Sequence, residues 1–230
     1  MILVAGSANL DFVVRAPHIP QPGETVLGGD FETFPGGKGA NQAVACARAG
    51  NLSTHMLLGL GDDTFATPLE ESLKSAGVEM HVIRTPGVRT GTAFICVSDQ
   101  AENAITVAPG ANDALRPEHL PRVSPFRPAS RCRLEAPLES VHRLCKPPRA
   151  KGVAVVLNAA PAQALPAELL AHTDVLVVNE GELATVSGHQ GSIAESPEAH
   201  QVATVWWSRR APAAAARATT VNSSCKPPIQ

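Results

Sequence analysis

Residues 34–50 read Phe-Pro-Gly-Gly-Lys-Gly-Ala-Asn-Gln-Ala-Val-Ala-Cys-Ala-Arg-Ala-Gly, and no other stretch restricts the fold as much. Gly36, Gly37 and Gly39 around Lys38 allow a tight backbone bend and a close approach to a ligand, because glycine has no Cβ to clash. From Gly39 the pattern turns helical, with Ala40, Ala43, Val44 and Ala47 on one face and Gly50-Asn51 as a stop. A glycine turn that feeds a helix start aims N–H groups and the positive end of the helix dipole at whatever fills the turn, which suits hydroxyls, phosphates or a developing negative charge. A P-loop is excluded, since that pattern needs Ser or Thr directly after the lysine and Gly39 stands there. A four-residue GGKG turn alone also reads as a structural loop with a solvated lysine; the eight-residue string GGKGANQA is far more specific.

Around this stretch the chain alternates. Ile2 to Ala5, His55 to Leu60, Val153 to Leu157 and Val175 to Val178 are short apolar runs of the kind buried on both faces of a parallel sheet. Each leads into polar residues: Ser7, Asn9 and Asp11; Asp62 and Asp63; Asn158; Asn179 and Glu180. Helical patterns at 40–49, 64–76 and 166–172 lie between them. The spacing predicts an α/β fold with a parallel sheet flanked by helices, and ligands bind such sheets beyond the carboxyl ends of the strands. Two stretches break the alternation. Proline-rich 12–35, with β-rich pieces at 12–14 and 24–27, and the pair 92–97 and 105–107 predict a small sheet projecting from the main one. Its edges and apolar faces favour pairing with a second copy.

Composition excludes several classes of function. Net charge is −2 with no long basic run, so nothing favours nucleic acid or an anionic membrane. No apolar run approaches the roughly 18 residues of a membrane span, and Met1-Ile2-Leu3-Val4 enters a strand without the features of a signal peptide, so a cytoplasmic location is expected. Five cysteines lie far apart without a CxxC pair and read as free thiols. Eight histidines are scattered without ligand spacing, and no transition-metal site is expected. GLGDDT at 59–64 is not the GxGxxG of a dinucleotide fold.

Pattern reading fails from Leu115 to Gly152, where seven prolines and seven arginines fall between Arg116 and Arg149. Pro147-Pro148 would break a helix leading to the Val153 strand, and PASRCRLE stands where an apolar strand should precede Glu135. From Pro197 onward, adjacent tryptophans and an alanine run show no alternation, and the expectation is an atypical, disordered tail over 189–230.

GGKGANQA, together with GSANLD at 6–11, PGETV at 22–26, TGTAFI at 90–95, LEAPLESV at 134–141, LNAAPA at 157–162 and VVNEGE at 177–182, resembles the ribokinase family of carbohydrate kinases. The likeness runs from Met1 to about Asp113, returns from Leu134 to about Gly188, then stops. It implies one ribokinase-like domain over 1–188, with a lid built from about 12–35 and 90–108 that covers the sugar and forms a dimer contact. It implies ATP-dependent phosphoryl transfer to a pentose or related sugar, with magnesium and a monovalent cation as ions. Sugar contacts fall on Asn9, Asp11, Gly37, Lys38, Asn41 and Glu135, a mix of donors and acceptors suited to hydroxyls. Taken singly, Asn9 and Asp11 also read as turn caps. Asn179 falls beside the nucleotide phosphates and Glu182 at the magnesium; the same string also reads as an acidic helix start. The family's catalytic base and anion hole come from a DTxxAGD-like turn, and no such string occurs in the sequence, so the base is unassigned and the final part of the fold is expected to be absent. A truncated, inactive sugar kinase is the resulting expectation, with a non-catalytic sugar-binding or dimerising remnant as the alternative.

Overall fold

The structure, a computed structural model, describes residues 1–50, 52–116, 118–119, 129–133, 138–145, 155–160, 163–179, 182, 185–186 and 205–208. Eleven strands and four α-helices occur among them: β1 (Ile2–Ala5), β2 (Asn9–Ala16), β3 (Phe31–Gly36), α1 (Lys38–Ala49), β4 (Thr54–Leu60), α2 (Ala66–Ser75), β5 (Val78–Arg84), β6 (Gly91–Ser98), β7 (Asn103–Ala108), β8 (Ala129–Arg133), α3 (Leu138–Cys145), β9 (Val155–Asn158), α4 (Ala167–His172), β10 (Val175–Val178) and β11 (Val205–Ser208). None of these helices is long and apolar enough to cross a membrane.

Seven strands form the main sheet in the order β11-β10-β9-β8-β1-β4-β5, all parallel except β11, which runs antiparallel to β10. Successive side chains of a strand point to opposite faces, and here both faces are apolar. Leu3, Ala5, Leu57, Val155, Leu157, Leu176 and Val178 build one core layer with Val141 of α3 and Leu169 of α4. Val4, Met56, Leu58, Leu60 and Val78 build the other with Ala40 and Ala43 of α1 and Leu69 and Leu73 of α2. This double burial is why the β1 and β4 sequences are continuous apolar runs instead of alternating ones.

The element pattern read from the sequence holds for β1, β4, β9, β10, α1, α2 and α4 within a few residues. β5 escapes that reading. Its signal is an alternation, with Val78, Met80 and Val82 packed against one core layer, just after a turn at Gly77 where φ is +79°. β8 takes the place between β1 and β9 although Ala-Ser-Arg-Cys-Arg carries no apolar run, and it is its two pairing neighbours that define the register there. β11 lies within the stretch for which the sequence predicts no alternation.

The second sheet has the order β3-β2-β6-β7 and is the projecting sheet that the sequence predicts. The β-rich piece 24–27, however, is not a strand. Pro22 and Gly23, whose φ is +84°, make a turn there, closed by Glu24 N donating to Gln21 O at 2.9 Å and Gln21 N donating to the Glu24 carboxylate at 2.9 Å. The strand forms later, at 31–36, on the sheet edge where Pro35 costs no interior ladder bond. Phe12 stacks on Phe94 at 5.4 Å between ring centroids and meets Phe65 edge-on at 5.4 Å, which seats the sheet on the segment that leads into α2.

Candidate functional site

The glycine turn joins β3 to α1 and folds against the connection from β1 to β2. Gly37 is the N-cap of α1 with φ 87° and ψ 131°, a conformation that a side chain would strain, and a Cβ there would lie 2.7 Å from both Ala8 Cα and Asn9 N. Gly36 is in register with Asn9, and a Cβ on it would overlap the Asp11 carboxylate. The glycines therefore bring two polar segments, 7–11 and 36–41, into backbone contact. One helix donor is consumed in doing so, since Ala40 N donates to Ser7 O at 2.9 Å.

Five of the sequence-nominated residues meet at this junction. Asn9 is buried and Asp11 half-buried on β2; Gly37 caps α1; Lys38 and Asn41 are exposed on its first turn. The junction lies past the carboxyl end of β1, where polar clusters were expected. Glu135, nominated with them, lies outside the described residues.

Asn112, which the sequence reading did not nominate, holds the junction together. It is 1% exposed, in the short 3-10 turn Gly110–Ala114. Its Oδ1 accepts from Ala8 N at 3.0 Å, while its Nδ2 donates to Asn9 Oδ1 at 2.7 Å and to Ala8 O at 3.3 Å. A Cβ on Gly91 would strike both amide side chains, so β6 closes the network from the other side. The partners are more than 100 residues apart in sequence, and local pattern carries no trace of such a pairing.

A second anchor sits at the end of β4. Asp63 accepts from Thr90 Oγ1 at 2.7 Å, Thr90 N at 2.8 Å and Phe65 N at 3.2 Å, and Thr90 Oγ1 in turn accepts from Gly61 N at 3.0 Å. Partial burial works against the Asp63 charge, but these hydrogen bonds from Thr90 and from the backbone of Phe65 and Ala66 outweigh it and hold the carboxyl below its usual pKa. Asp63 thereby ties the residue that precedes β6 to the main sheet, and its carboxylate is committed to structure.

Asn179 and Glu182 lie past the end of β10, three strand positions from β1, or about 14 Å across the sheet. They bond reciprocally: Glu182 N donates to Asn179 Oδ1 at 2.7 Å, and Asn179 N donates to Glu182 Oε2 at 2.8 Å. This is a capping box, which satisfies two donors at a helix start. The structure thus places two polar groups at one edge of the sheet without joining them.

The pfkB family carbohydrate kinase profile matches residues 1–207. The chain is 37% identical over 210 residues to the ribokinase of Haemophilus influenzae, covering 89% of this chain and 67% of that protein. It is 38% identical over 185 residues to the ribokinase of Bacillus subtilis, covering 79% and 62%. The structure of Arabidopsis thaliana ribokinase complexed with ribose and ATP superposes with a TM-score of 0.72 at 30% identity, covering 81% of this chain and 62% of that one. The chain thus spans about two thirds or less of the length of these proteins.

Proposed function

Because the chain belongs to the pfkB family of carbohydrate kinases, we propose that its sites serve ATP-dependent phosphoryl transfer to a pentose or related sugar, with ribose the first candidate. The observation that carries this reading is the junction of 7–11 with 36–41, where a half-buried carboxylate, a lysine and an asparagine stand on a backbone fixed by glycines and by Asn112. Sugar hydroxyls each donate and accept, and a buried hydroxyl without partners costs about 1–3 kcal/mol. Asp11 supplies an acceptor, Lys38 and Asn41 supply donors, and Gly37 brings backbone close to the ligand. Asn9 holds the β2 start through Asn112, and Glu135 is a further proposed contact.

Asn179 and Glu182 are proposed to face the nucleotide phosphates. Magnesium prefers oxygen ligands, keeps several waters and borrows only one or two carboxylates, so a single half-buried carboxylate at the strand edge fits it. Glu182 is the residue proposed to hold the ion, which supplies charge neutralisation to the phosphates when bound. The capping box keeps that carboxylate oriented. No residue is assigned to a monovalent cation. An ATP-dependent role of this kind belongs in the cytoplasm.

Lys38→Ala and Asp11→Asn should each weaken ribose binding at least about tenfold while leaving the unfolding midpoint nearly unchanged, since neither side chain is part of an apolar core layer. Titration calorimetry on the two variants and their parent checks this. Unchanged affinity in both, beside a parent that binds, removes the assignment.

The lid is also the proposed dimer contact. Phe34, Phe94, Ile105 and Val107 are each about half exposed and Phe31 more so, an apolar surface that water alone covers poorly. The β6–β7 turn is held by Ser98 N donating to Glu102 O at 2.9 Å and by Glu102 N donating to Ser98 Oγ at 3.2 Å. Deleting residues 98–104 should raise the dimer dissociation constant in sedimentation equilibrium. An unaltered constant would place the interface elsewhere.

A further inference from the structure

His55, Glu79 and His81 meet at the opposite end of the sheet from the proposed sugar site. His55 is the second residue of β4, and Glu79 and His81 lie in the first half of the neighbouring strand β5. The parallel register pairs His55 with Glu79 and Leu57 with His81, so the three side chains leave the same face. His55 Nδ1 is 3.2 Å from His81 Nε2 and 3.5 Å from Glu79 Oε1, and one donor atom from each residue falls within 4.8 Å of the others. The two rings stack with centroids 5.4 Å apart.

We propose that His55 Nδ1, His81 Nε2 and Glu79 Oε1 bind one divalent ion of the zinc class. A tetrahedral zinc with ligands at about 2.0–2.2 Å holds its donor atoms about 3.3 Å apart, close to the two separations seen from His55. The second nitrogen of His55 has the partner such a ligand needs: Nε2 lies 3.0 Å from Ser53 Oγ, a contact that fixes the ring and leaves Nδ1 turned toward Glu79 and His81. Burial, and the proximity of His55, lower the His81 pKa against the opposing pull of Glu79, which favours the neutral ring that coordinates metals. His55 is 3% exposed whereas the Glu79 side chain is 65% exposed, so the site has a rigid inner wall and an open outer side where water completes the coordination. Two imidazoles and one carboxylate favour zinc over magnesium, so the ion proposed for the phosphates does not compete.

A proton shared between the histidines is the competing account of the 3.2 Å separation. Calorimetric titration of the 230-residue chain with Zn²⁺ in excess Mg²⁺, repeated with Co²⁺ to read its visible spectrum, separates the two. The expected result is one Zn²⁺ per chain, weakened at least about tenfold in His81→Gln and in Glu79→Gln, with a tetrahedral Co²⁺ spectrum that both variants lose. Both substitutions are on the more open side of the cluster, so they test the site without the folding risk of changing buried His55. Equal Zn²⁺ affinity in the parent and both variants, or no stoichiometric binding, would leave a proton-bridged histidine pair and overturn the proposal.

Discussion

A polypeptide limited to these 230 residues is expected to make no detectable sugar phosphate from ATP, magnesium and ribose. Phosphoryl transfer needs a base for the sugar hydroxyl and fixed donors for the charge on the transferring group. A positioned base contributes about 10²–10⁴-fold and one anion-hole donor about 10²–10³-fold, so lacking both costs on the order of 10⁴–10⁷-fold in rate. The sequence contains no DTxxAGD-like turn to supply them. Asp11 is proposed as a sugar contact, and the Asp63 and Glu182 carboxylates are placed elsewhere. Asp63 is bound to Thr90, and Glu182 lies three strands from β1. Appending a segment that carries such a turn should create activity. Robust phosphorylation by the 230 residues alone would mean that another carboxylate serves as base, with Asp11 and Glu135 the first to substitute.

Asn112→Ala is expected to destabilise the chain by roughly 2–5 kcal/mol and to weaken sugar binding along with it. The substitution leaves Ala8 N and Asn9 Oδ1 without the partner that each has in this structure, and Asn9, like Asn112, is buried. Each unsatisfied buried group costs about 1–3 kcal/mol, and the space left by the amide adds to that. Urea unfolding monitored by circular dichroism reads the first effect as a shifted midpoint with an unchanged slope. Asn112→Asp keeps the acceptor for Ala8 N but sets an oxygen against Asn9 Oδ1, so it should lose a comparable amount. A loss below about 0.5 kcal/mol in both variants would show that the network does not hold the junction.

The sequence carried the main sheet because its information there is local. Ile2–Ala5, Thr54–Leu60 and Val175–Val178 are largely apolar on both faces, and each leads into polar residues, which identifies a parallel strand and its polar end without any knowledge of neighbours. The glycine turn was equally legible: Gly37 and Gly39 sit against backbone and Gly36 against the Asp11 carboxylate, where any bulkier residue would clash. The lid was legible in outline. Its strand β3 was misplaced because the β-rich residues 24–27 are next to a Pro-Gly turn whose closure by Glu24 depends on side-chain geometry.

What the sequence by itself determined, then, was the α/β class, the sheet edge where the polar clusters lie, the glycine turn and the family to which it points. Tertiary structure alone decided that Asn112 fastens Asn9, that Asp63 anchors Thr90 ahead of β6, and that His55, Glu79 and His81 form one cluster. The division has a physical cause. Burial and backbone strain act on each residue where it stands, and so they leave periodic or glycine-marked traces in sequence. Side-chain hydrogen bonds and clusters act between residues that the tertiary fold brings together: 103 residues separate Asn9 from Asn112 and 26 separate His55 from His81. Nothing in the chemistry of either partner alone announces the other.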